Sequence, residues 1–201
     1  MIQEVGEGWF AKTFLVEHKR TRSELVLKVV HKDSGTKKDF LREFHYSYNL
    51  SVLNNAKVIV RTFDILFEYS DCYIFAQEYA PFGDLTGNVS DIGIGEIYSK
   101  RVAKQLASAL DFLHEKLLVH RDVKLDNVLV FKSDFSKIKL ADFGECRKKG
   151  STVIRFNEWV PYCPPEIITS TQDTPYSAEF HQDTWQFGIL LFLCLTGEYY
   201  F

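Results

Sequence analysis

The strongest chemical signal in the sequence is a run of charged and amide residues at 120–127, which fits the pattern H-R-D-x-K-x-x-N. Its polar side chains include Asp122, Lys124 and Asn127. A carboxylate can accept a proton, an ammonium group can neutralise negative charge, and carboxylate and amide oxygens bind hard cations. Five fixed residues at this spacing recur by chance in roughly one of ten thousand chains of this length. The run therefore indicates a catalytic site.

Three weaker motifs accompany this run in a fixed order. Asp142-Phe143-Gly144 follows twenty residues after its aspartate, and upstream lie Gly6-x-Gly8-x-x-Ala11 and then Lys28 at the end of a strand-like stretch. Glycines let backbone amides approach phosphate oxygens, although two glycines in a hairpin usually mark only a turn. Each motif alone is weak, but their order and spacing together are specific.

In this order the motifs resemble those of the eukaryotic protein kinase family, over nearly the whole chain. A closer likeness is to the SH3-binding-domain kinases, a small Ser/Thr kinase group. It depends on residues 40–43, 75–81, 118–122 and 139–144. The resemblance implies transfer of the γ-phosphoryl group of ATP, with Mg²⁺, to protein substrates. Lys124, where tyrosine kinases have Ala or Arg, indicates Ser/Thr acceptors.

The same resemblance assigns catalytic roles to residues of the second half of the chain. Asp122 would be the base that orients the substrate hydroxyl, and Lys124 would neutralise charge on the transferred phosphoryl group. Asn127 and Asp142 would supply oxygen ligands to Mg²⁺.

In the first half of the chain, Lys28 would contact the α- and β-phosphates of ATP and would be held by an ion pair with Glu43. Glu43 could alternatively be an ordinary charge on a helix surface. Phe40 and Phe44 favour the pairing, because they place Glu43 on the inner face of the predicted helix.

The resemblance also implies a nucleotide-binding set. Its members are Gly6, Gly8, Ala11, Thr13, Val26, Lys28, Glu78, Ala80, Asp84 and Leu129. The Glu78 carbonyl and the Ala80 amide would contact the adenine edge. Ala11 replaces a glycine, and Thr13 puts a hydroxyl where the family packs an aliphatic group on adenine, so we expect weaker nucleotide binding. Asp84 fits a ribose or substrate contact and a helix N-cap equally well.

The largest departure from the family pattern is Trp159, which replaces a threonine that bonds both the catalytic aspartate and the lysine at the position of Lys124. An indole has one N–H donor and no acceptor, so it cannot reproduce these bonds. Acceptor choice and turnover are therefore in doubt. Two alternatives to a protein kinase stay open: a pseudokinase or scaffold that binds partners and nucleotide, and a small-molecule phosphotransferase of kinase-like fold.

Several residues are expected to support the site. Asp183, in a D-x-W-x-x-G motif, would anchor the backbone near His120 and Arg121. Arg121 also suggests regulation by phosphorylation, with Ser151 and Thr152 as the candidate positions.

Residue spacing predicts the elements that must position these groups. The first 30 residues are strand-like, residues 37–50 have helical spacing, and residues 58–68 and 72–79 form two more predicted strands. We expect this part, residues 1–79, to be a small β-rich lobe with one helix.

Beyond a break at residues 81–84 the pattern changes. A long helix is predicted at 95–116, short strands at 128–131 and 137–140, and an apolar helix at 183–196. The predicted apolar stripe of the long helix consists of Ala103, Leu106, Ala107, Leu110 and Leu113. The expected fold is thus α+β and bilobal, protein-kinase-like, with a mostly helical lobe at 80–201.

Composition limits the partners. The 201 residues are 46% hydrophobic and 25% charged with a net charge of −3, which excludes a disordered or collagen-like chain and argues against a nucleic-acid partner. The longest apolar run, at 187–195, is too short for a membrane span, so we expect no membrane partner. A single PxxP at 161–164 is better explained by turn chemistry than as an SH3 ligand.

Four cysteines without a CxxC pair favour neither a disulfide framework nor a zinc site. We therefore expect a reducing compartment, the cytoplasm or the nucleus.

The length is short for the family, whose fold continues with further helices. We expect a kinase domain truncated after its central helix, with Glu166 lacking the arginine that pairs with it in the family. The run at 187–195 is then expected to expose an apolar patch.

Overall fold

The computed structural model describes residues 2–7, 11–32, 37–154, 160–168 and 174–198. The chain divides into two compact units, Met1–Tyr79 and Ala80–Phe201. The first unit is rich in strand with one helix, and the second is mainly helical.

The first unit is an antiparallel five-stranded sheet with one long helix. The strand order is β1-β2-β3-β5-β4. The strands are β1 (Ile2–Glu7), β2 (Ala11–Glu17), β3 (Glu24–His31), β4 (Thr62–Tyr69) and β5 (Cys72–Glu78), and helix α1 spans Lys37–Leu53. The central position of β3, between β2 and β5, makes the strand that carries Lys28 the most constrained of the sheet.

Helix α1 packs on this sheet through aromatic side chains. Phe40 is 5% exposed and lies against the rings of Tyr73 and Phe75, whose centroids are 5.0 and 5.7 Å away. Burying a phenylalanine of this kind stabilises a fold by about 2 kcal/mol. Phe44 contacts the same cluster, so the inner face of α1 is the one predicted from the spacing.

The predicted strand at 58–68 is partly wrong, because the ladder begins only at Thr62. Ile59 and Val60 are completely buried but lie outside the regular strand. The amide of Val58 donates to the Asn54 side chain instead. Burial of an apolar run, rather than strand pairing, explains the pattern here.

The second unit is organised by two helices, α2 (Glu96–Glu115) and α4 (Phe180–Thr196), with a single turn of helix, α3, at Pro165–Ile168. Three two-stranded ribbons complete its described part. They pair β6 (Leu118–Val119) with β9 (Arg147–Lys148), β7 (Val128–Val130) with β8 (Ile138–Leu140), and β10 (Thr152–Val153) with β11 (Tyr176–Ser177).

The apolar stripe of α2 differs from the predicted one by small residues. Ala107 is exposed and Ala103 only half-buried. The buried apolar stripe is Val102, Leu106, Ala109, Leu110 and Leu113. Alanine is a weak marker of the buried face, because it has little apolar surface to remove from water.

Helix α4 begins at Phe180, three residues before the predicted start, and Gly197 ends it in the left-handed conformation, φ 73°. Ile189, Leu190, Leu193 and Cys194 are buried. Of the run at 187–195, Leu195 is 48% exposed, so the broad exposed patch expected there is not present in the described part of the chain. None of the described helices combines the length and apolar character needed to cross a membrane.

Candidate active site

The first unit brings Lys28 and Glu43 together. Lys28 Nζ lies 2.5 Å from Glu43 Oε1, and the two side chains are 12% and 11% exposed. Strand β3 presents Lys28 on the face of the sheet that carries Val30, and Phe40 fixes α1 against that face. A charge pair this deep is tolerated only when both partners are present, since a lone charge would be strongly disfavoured.

Four of the predicted nucleotide residues of this unit, Ala11, Thr13, Val26 and Lys28, share one sheet face. Thr13 pairs with Lys28 and Ala11 with Val30 across β2 and β3, while Val26 is two residues from Lys28 on the same strand. Cross-strand partners and i, i+2 neighbours point to the same side of a sheet. Glu78 is the last residue of β5, and its side chain accepts the Arg61 amide at 2.6 Å.

Gly6 lies within β1 at an irregularity of the β1–β2 register, not in the turn where the motif predicts it. The Thr13 hydroxyl donates to the Gly6 carbonyl oxygen at 3.1 Å. A Cβ added to Gly6 would lie 2.7 Å from Thr13 Oγ1. A side chain at position 6 would therefore displace the Thr13 hydroxyl, which is bonded within the sheet. Gly8 lies outside the described residues.

The second unit gathers Asp122, Lys124 and Asn127 around one carboxylate oxygen. Asp122 Oδ2 accepts from Lys124 Nζ at 2.9 Å and from Asn127 Nδ2 at 2.8 Å. A short 3₁₀ turn over Leu125–Asn127 folds the chain back, so that the side-chain amide of Asn127 reaches Asp122. Asn127 Nδ2 also donates to the backbone carbonyl oxygen of Asp122 at 2.7 Å. Within the described part of the chain Oδ1 receives no hydrogen bond, so one lone-pair face of Asp122 is available.

Carboxylates determine the charge state of Lys124. Burial acts to lower its pKa, but the nearby carboxylates of Asp122, Asp126 and Asp142 outweigh burial and raise the pKa above its usual value. Lys124 is therefore held as the ammonium ion, the form that can neutralise an anion.

The backbone before Asp122 is strained and is held from α4. Arg121 adopts a left-handed φ of 70°, which costs a non-glycine residue on the order of 1–2 kcal/mol. The fully buried Asp183 accepts the amides of His120 and Arg121 at 2.9 and 2.8 Å. The structure thus places Asp183 where the motif predicted it. His114 Nε2, 2.9 Å from Asp183 Oδ2, was missed.

Gln186 was also missed. It is 2% exposed and bonds the backbone on both sides of Asp122. A signal was available, because Gln186 is three residues after Asp183 and residues at this spacing share a helix face.

His120 and Phe143 pack in the core, both with no exposed surface, and their rings meet edge to face. The Asp122 amide donates to His120 Nδ1, and His120 Nε2 lies 3.1 Å from the Ala141 carbonyl. These contacts assign the proton to Nε2. Asp142 is left-handed, φ 59°, and its Oδ1 accepts the Gly144 amide.

Asp84 acts locally as a turn cap: its Oδ1 accepts the Gly87 amide at 2.9 Å. The segment around it pairs with β7, through a bridge between Asp84 and Leu129. Ala80 is buried, and its carbonyl accepts the Gly83 amide. The N-cap of the short 3₁₀ helix at Thr86–Asn88 is Leu85, so Asp84 closes the turn that precedes this helix.

Arg121 is engaged within the second unit. Its Nη1 donates to Glu145 Oε2 at 3.0 Å, and its Nη2 donates to Tyr176 Oη at 3.0 Å and to the Ile154 carbonyl. Its Nε is buried and has no hydrogen-bond partner among the described residues. Ser151 and Thr152 lie in and beside the β10–β11 ribbon, and Trp159 lies outside the described residues.

Glu166 contacts a histidine of α4. Its Oε1 lies 3.0 Å from His181 Nε2, with both side chains at least half exposed.

Comparison with known protein families gives one match over the full chain. The family model described as "Protein kinase domain" matches residues 1–201.

Curated relatives are similar over nearly the whole chain. Serine/threonine-protein kinase meng-po of Drosophila melanogaster is 43% identical over 96% of this chain and 42% of its own length. Serine/threonine-protein kinase SBK1 is 40% identical in Mus musculus, over 99% of this chain and 47% of its own length, and 42% identical in Danio rerio, over 99% and 51%. The chain spans about half the length of the curated relatives it matches.

Proposed function

Since the chain belongs to the protein kinase family, we propose that it transfers the γ-phosphoryl group of ATP to Ser or Thr hydroxyls of protein substrates. The family match confirms the resemblance and the α+β fold class expected from the motifs. The relatives bear the name serine/threonine-protein kinase, which supports these acceptors. The unit Met1–Tyr79 would supply ATP-positioning groups and the unit Ala80–Phe201 the catalytic ones.

The observation that carries this proposal is the asymmetric bonding of Asp122. Lys124 and Asn127 bond Oδ2, and within the described residues Oδ1 receives no hydrogen bond. A carboxylate fixed through one oxygen can accept a hydroxyl hydrogen at the other. Asp122 would therefore orient the acceptor hydroxyl and take its proton as the phosphoryl group is transferred.

Two lysines would act on the phosphates. Lys124, held protonated by its carboxylate neighbours, would neutralise charge on the transferred group. Lys28 would bind the α- and β-phosphates from its pair with Glu43. The buried pair favours one position of Lys28, so the cost of ordering a long side chain is met before ATP binds.

The donor set of the second unit fits Mg²⁺. The described residues contain no group of three or more His, Cys, Asp and Glu that could hold a metal ion by itself. Mg²⁺ typically takes one or two protein ligands together with phosphate oxygens and water. Asn127 uses its Nδ2 toward Asp122, which directs its oxygen away from that carboxylate, and Asp142 adds a carboxylate. When bound, Mg²⁺ would neutralise negative charge on the phosphates.

The test is transfer of radiolabelled phosphate from ATP by the full-length protein, comparing wild type with Lys28→Met and Asp122→Asn. Matched controls are Lys38→Met and Asp111→Asn, which change exposed residues of α1 and α2. We expect transfer in the wild type and both controls and its loss in both site variants. ATP binding without transfer in the wild type would instead indicate a pseudokinase, and transfer only to small molecules a different phosphotransferase.

We also propose a reducing compartment, the cytoplasm or the nucleus, as the location. Cys72, Cys146 and Cys194 are free thiols in this fold, and the last two are buried. Fractionation of cells that express the tagged full-length protein tests this, and recovery from a secretory compartment would contradict it.

A further inference from the structure

Gln186 contacts the backbone immediately before and immediately after Asp122. Its Nε2 donates to the carbonyl oxygen of Arg121 at 2.9 Å, and its Oε1 accepts the amide of Val123 at 2.9 Å. The side chain is 2% exposed, and both contacts are buried. One side chain thus holds both peptide groups that flank the proposed base.

A side-chain amide makes this contact as a neutral group at any pH, because it carries a donor and an acceptor side by side. The Gln186 amide donates one hydrogen bond to the loop and accepts one from it, as the backbone of a neighbouring β-strand does. A hydrophobic residue here would leave a buried carbonyl and a buried amide without partners.

Gln186 acts beside Asp183, one helical turn earlier on α4. Asp183 accepts the amides of His120 and Arg121, so it holds the loop from its N-terminal side only. The hydrogen bond from the Val123 amide to Gln186 is the contact that extends this support beyond Asp122. Together the two side chains hold the backbone from 120 to 123.

The held segment has a conformation that needs support. Arg121 has a φ of 70°, which side-chain-bearing residues avoid unless their surroundings impose it. Gln186 bonds the carbonyl of Arg121 itself. If this bond is removed, the peptide between Arg121 and Asp122 keeps the bond from the Asp122 amide to His120 Nδ1 but loses the one to its carbonyl oxygen. It can then rotate more easily, and the Asp122 carboxylate moves with it.

We propose that Gln186 is a positioning residue, which fixes the backbone on both sides of Asp122 and so sets the position of Oδ1 toward the acceptor hydroxyl. This inference rests on the proposed kinase function. Gln186 touches neither substrate nor nucleotide in this role. Its effect therefore belongs to the transfer step and not to nucleotide binding.

The experiment compares Gln186→Met with Gln182→Met in the full-length protein. Gln182 is a matched control, since it lies on the same helix, is 4% exposed, and donates its Nε2 to the Ser177 carbonyl at 2.8 Å, away from residues 120–123. We expect Gln186→Met to lower kcat by roughly tenfold to a hundredfold with an unchanged KM for ATP. Gln182→Met should lower the unfolding temperature without lowering kcat. Equal kcat losses in both variants, or none in Gln186→Met, would overturn the proposal.

A milder variant covers the case in which Gln186→Met does not fold. Gln186→Glu keeps an acceptor for the Val123 amide but, when ionised, has no donor for the Arg121 carbonyl. Burial favours the neutral acid, which keeps both bonds, so kcat is measured as a function of pH. We expect kcat to fall relative to the wild type as rising pH ionises this side chain, and a wild-type kcat up to about pH 10 would contradict the proposed role.

Amide hydrogen exchange separates this proposal from the proposed function. Exchange at residues 121–123 should be faster by roughly tenfold in Gln186→Met and unchanged in Gln182→Met. This measurement needs no catalysis. A wild type without transferase activity would remove the kinase proposal, whereas unchanged exchange in Gln186→Met would remove the positioning role of Gln186 even in an active enzyme.

Discussion

Arg121 and Glu145 form an ion pair of 3.0 Å in which the arginine side chain is 3% exposed and the glutamate 25%. Arg121 directly precedes the proposed base, and Glu145 directly follows Asp142-Phe143-Gly144. The charge of Arg121 is therefore met by a carboxylate of the chain itself. A phosphate at Ser151 or Thr152, the positions that the sequence suggests, would have to compete with this carboxylate.

Replacing Glu145 by Gln should destabilise the protein. The variant leaves the buried guanidinium of Arg121 facing a neutral amide. We expect a loss of about 2 kcal/mol in the free energy of unfolding, below the roughly 3–5 kcal/mol of fully buried pairs because Glu145 retains contact with water. Urea unfolding measures it. The control Glu96→Gln breaks an exposed pair with Lys100 and should leave the midpoint unchanged; equal midpoints for both variants would contradict this account of Arg121.

Glu43→Gln should impair the use of ATP. Without the carboxylate, Lys28 loses the partner that lies 2.5 Å from its Nζ. We expect kcat/KM for ATP to fall by roughly tenfold to a hundredfold, measured by steady-state kinetics. Asp39→Asn, which changes an exposed residue of the same helix paired with Arg42, should retain wild-type kinetics. Wild-type kinetics in Glu43→Gln would show that the pair is structural only.

Gly6 and Thr13 should be coupled energetically. In Gly6→Ala the new Cβ would lie 2.7 Å from Thr13 Oγ1, so the Thr13 side chain must move and its bond to the Gly6 carbonyl is lost. We expect a destabilisation of about 1–2 kcal/mol. Adding Thr13→Ala to this variant removes the clash, so the double variant should be more stable than the sum of the single changes predicts. Strict additivity in a double-mutant cycle of thermal unfolding would contradict the close approach.

Two buried thiols should make the fold sensitive to alkali. Burial raises the pKa of Cys146 and of Cys194 from 9.0 to about 12. Both thiols then stay neutral in the folded chain at a pH where they ionise in the unfolded chain. The unfolded state therefore releases protons that the folded state keeps, and stability falls as pH rises from about 9 towards about 12, by about 1.4 kcal/mol per pH unit and thiol.

Urea unfolding between about pH 8 and about pH 10 tests this dependence, with a variant that carries Cys146→Ala and Cys194→Ala as the control. The wild type should lose more stability than the control over this range. Parallel curves would show that the thiols do not contribute.

The sequence predicted residues whose partners follow from local patterns. The resemblance to the kinase family implied the pairing of Lys28 with Glu43, and the helical spacing of Phe40 and Phe44 placed Glu43 on the inner face of its helix. Asp122, Lys124 and Asn127 lie within a few residues of one another, so a single turn brings them together.

The missed residues depend on contacts between distant parts of the chain. Gln186 and His114 look like ordinary polar residues of a helix until the loop at 120–123 is placed against α4 and α2. The ribbons β9, β10 and β11 have two residues each, too few to show any alternation. Tertiary contacts, not local sequence patterns, determine the roles of Gln186 and His114 and the formation of these ribbons.

The hydrogen bonds between α4 and the loop at 120–123 also have a consequence for biosynthesis. Asp183 and Gln186 contact backbone groups 62 to 65 residues earlier in the chain. Contacts of such long range form slowly, because closing a long loop costs chain entropy before the contact is gained. A nascent chain that has emerged only as far as Asp142 already contains every residue of the proposed catalytic set, yet it lacks the α4 side chains that hold Arg121 in its left-handed conformation. The loop at 120–123 should therefore reach its folded conformation late in synthesis, when α4 leaves the ribosome and docks.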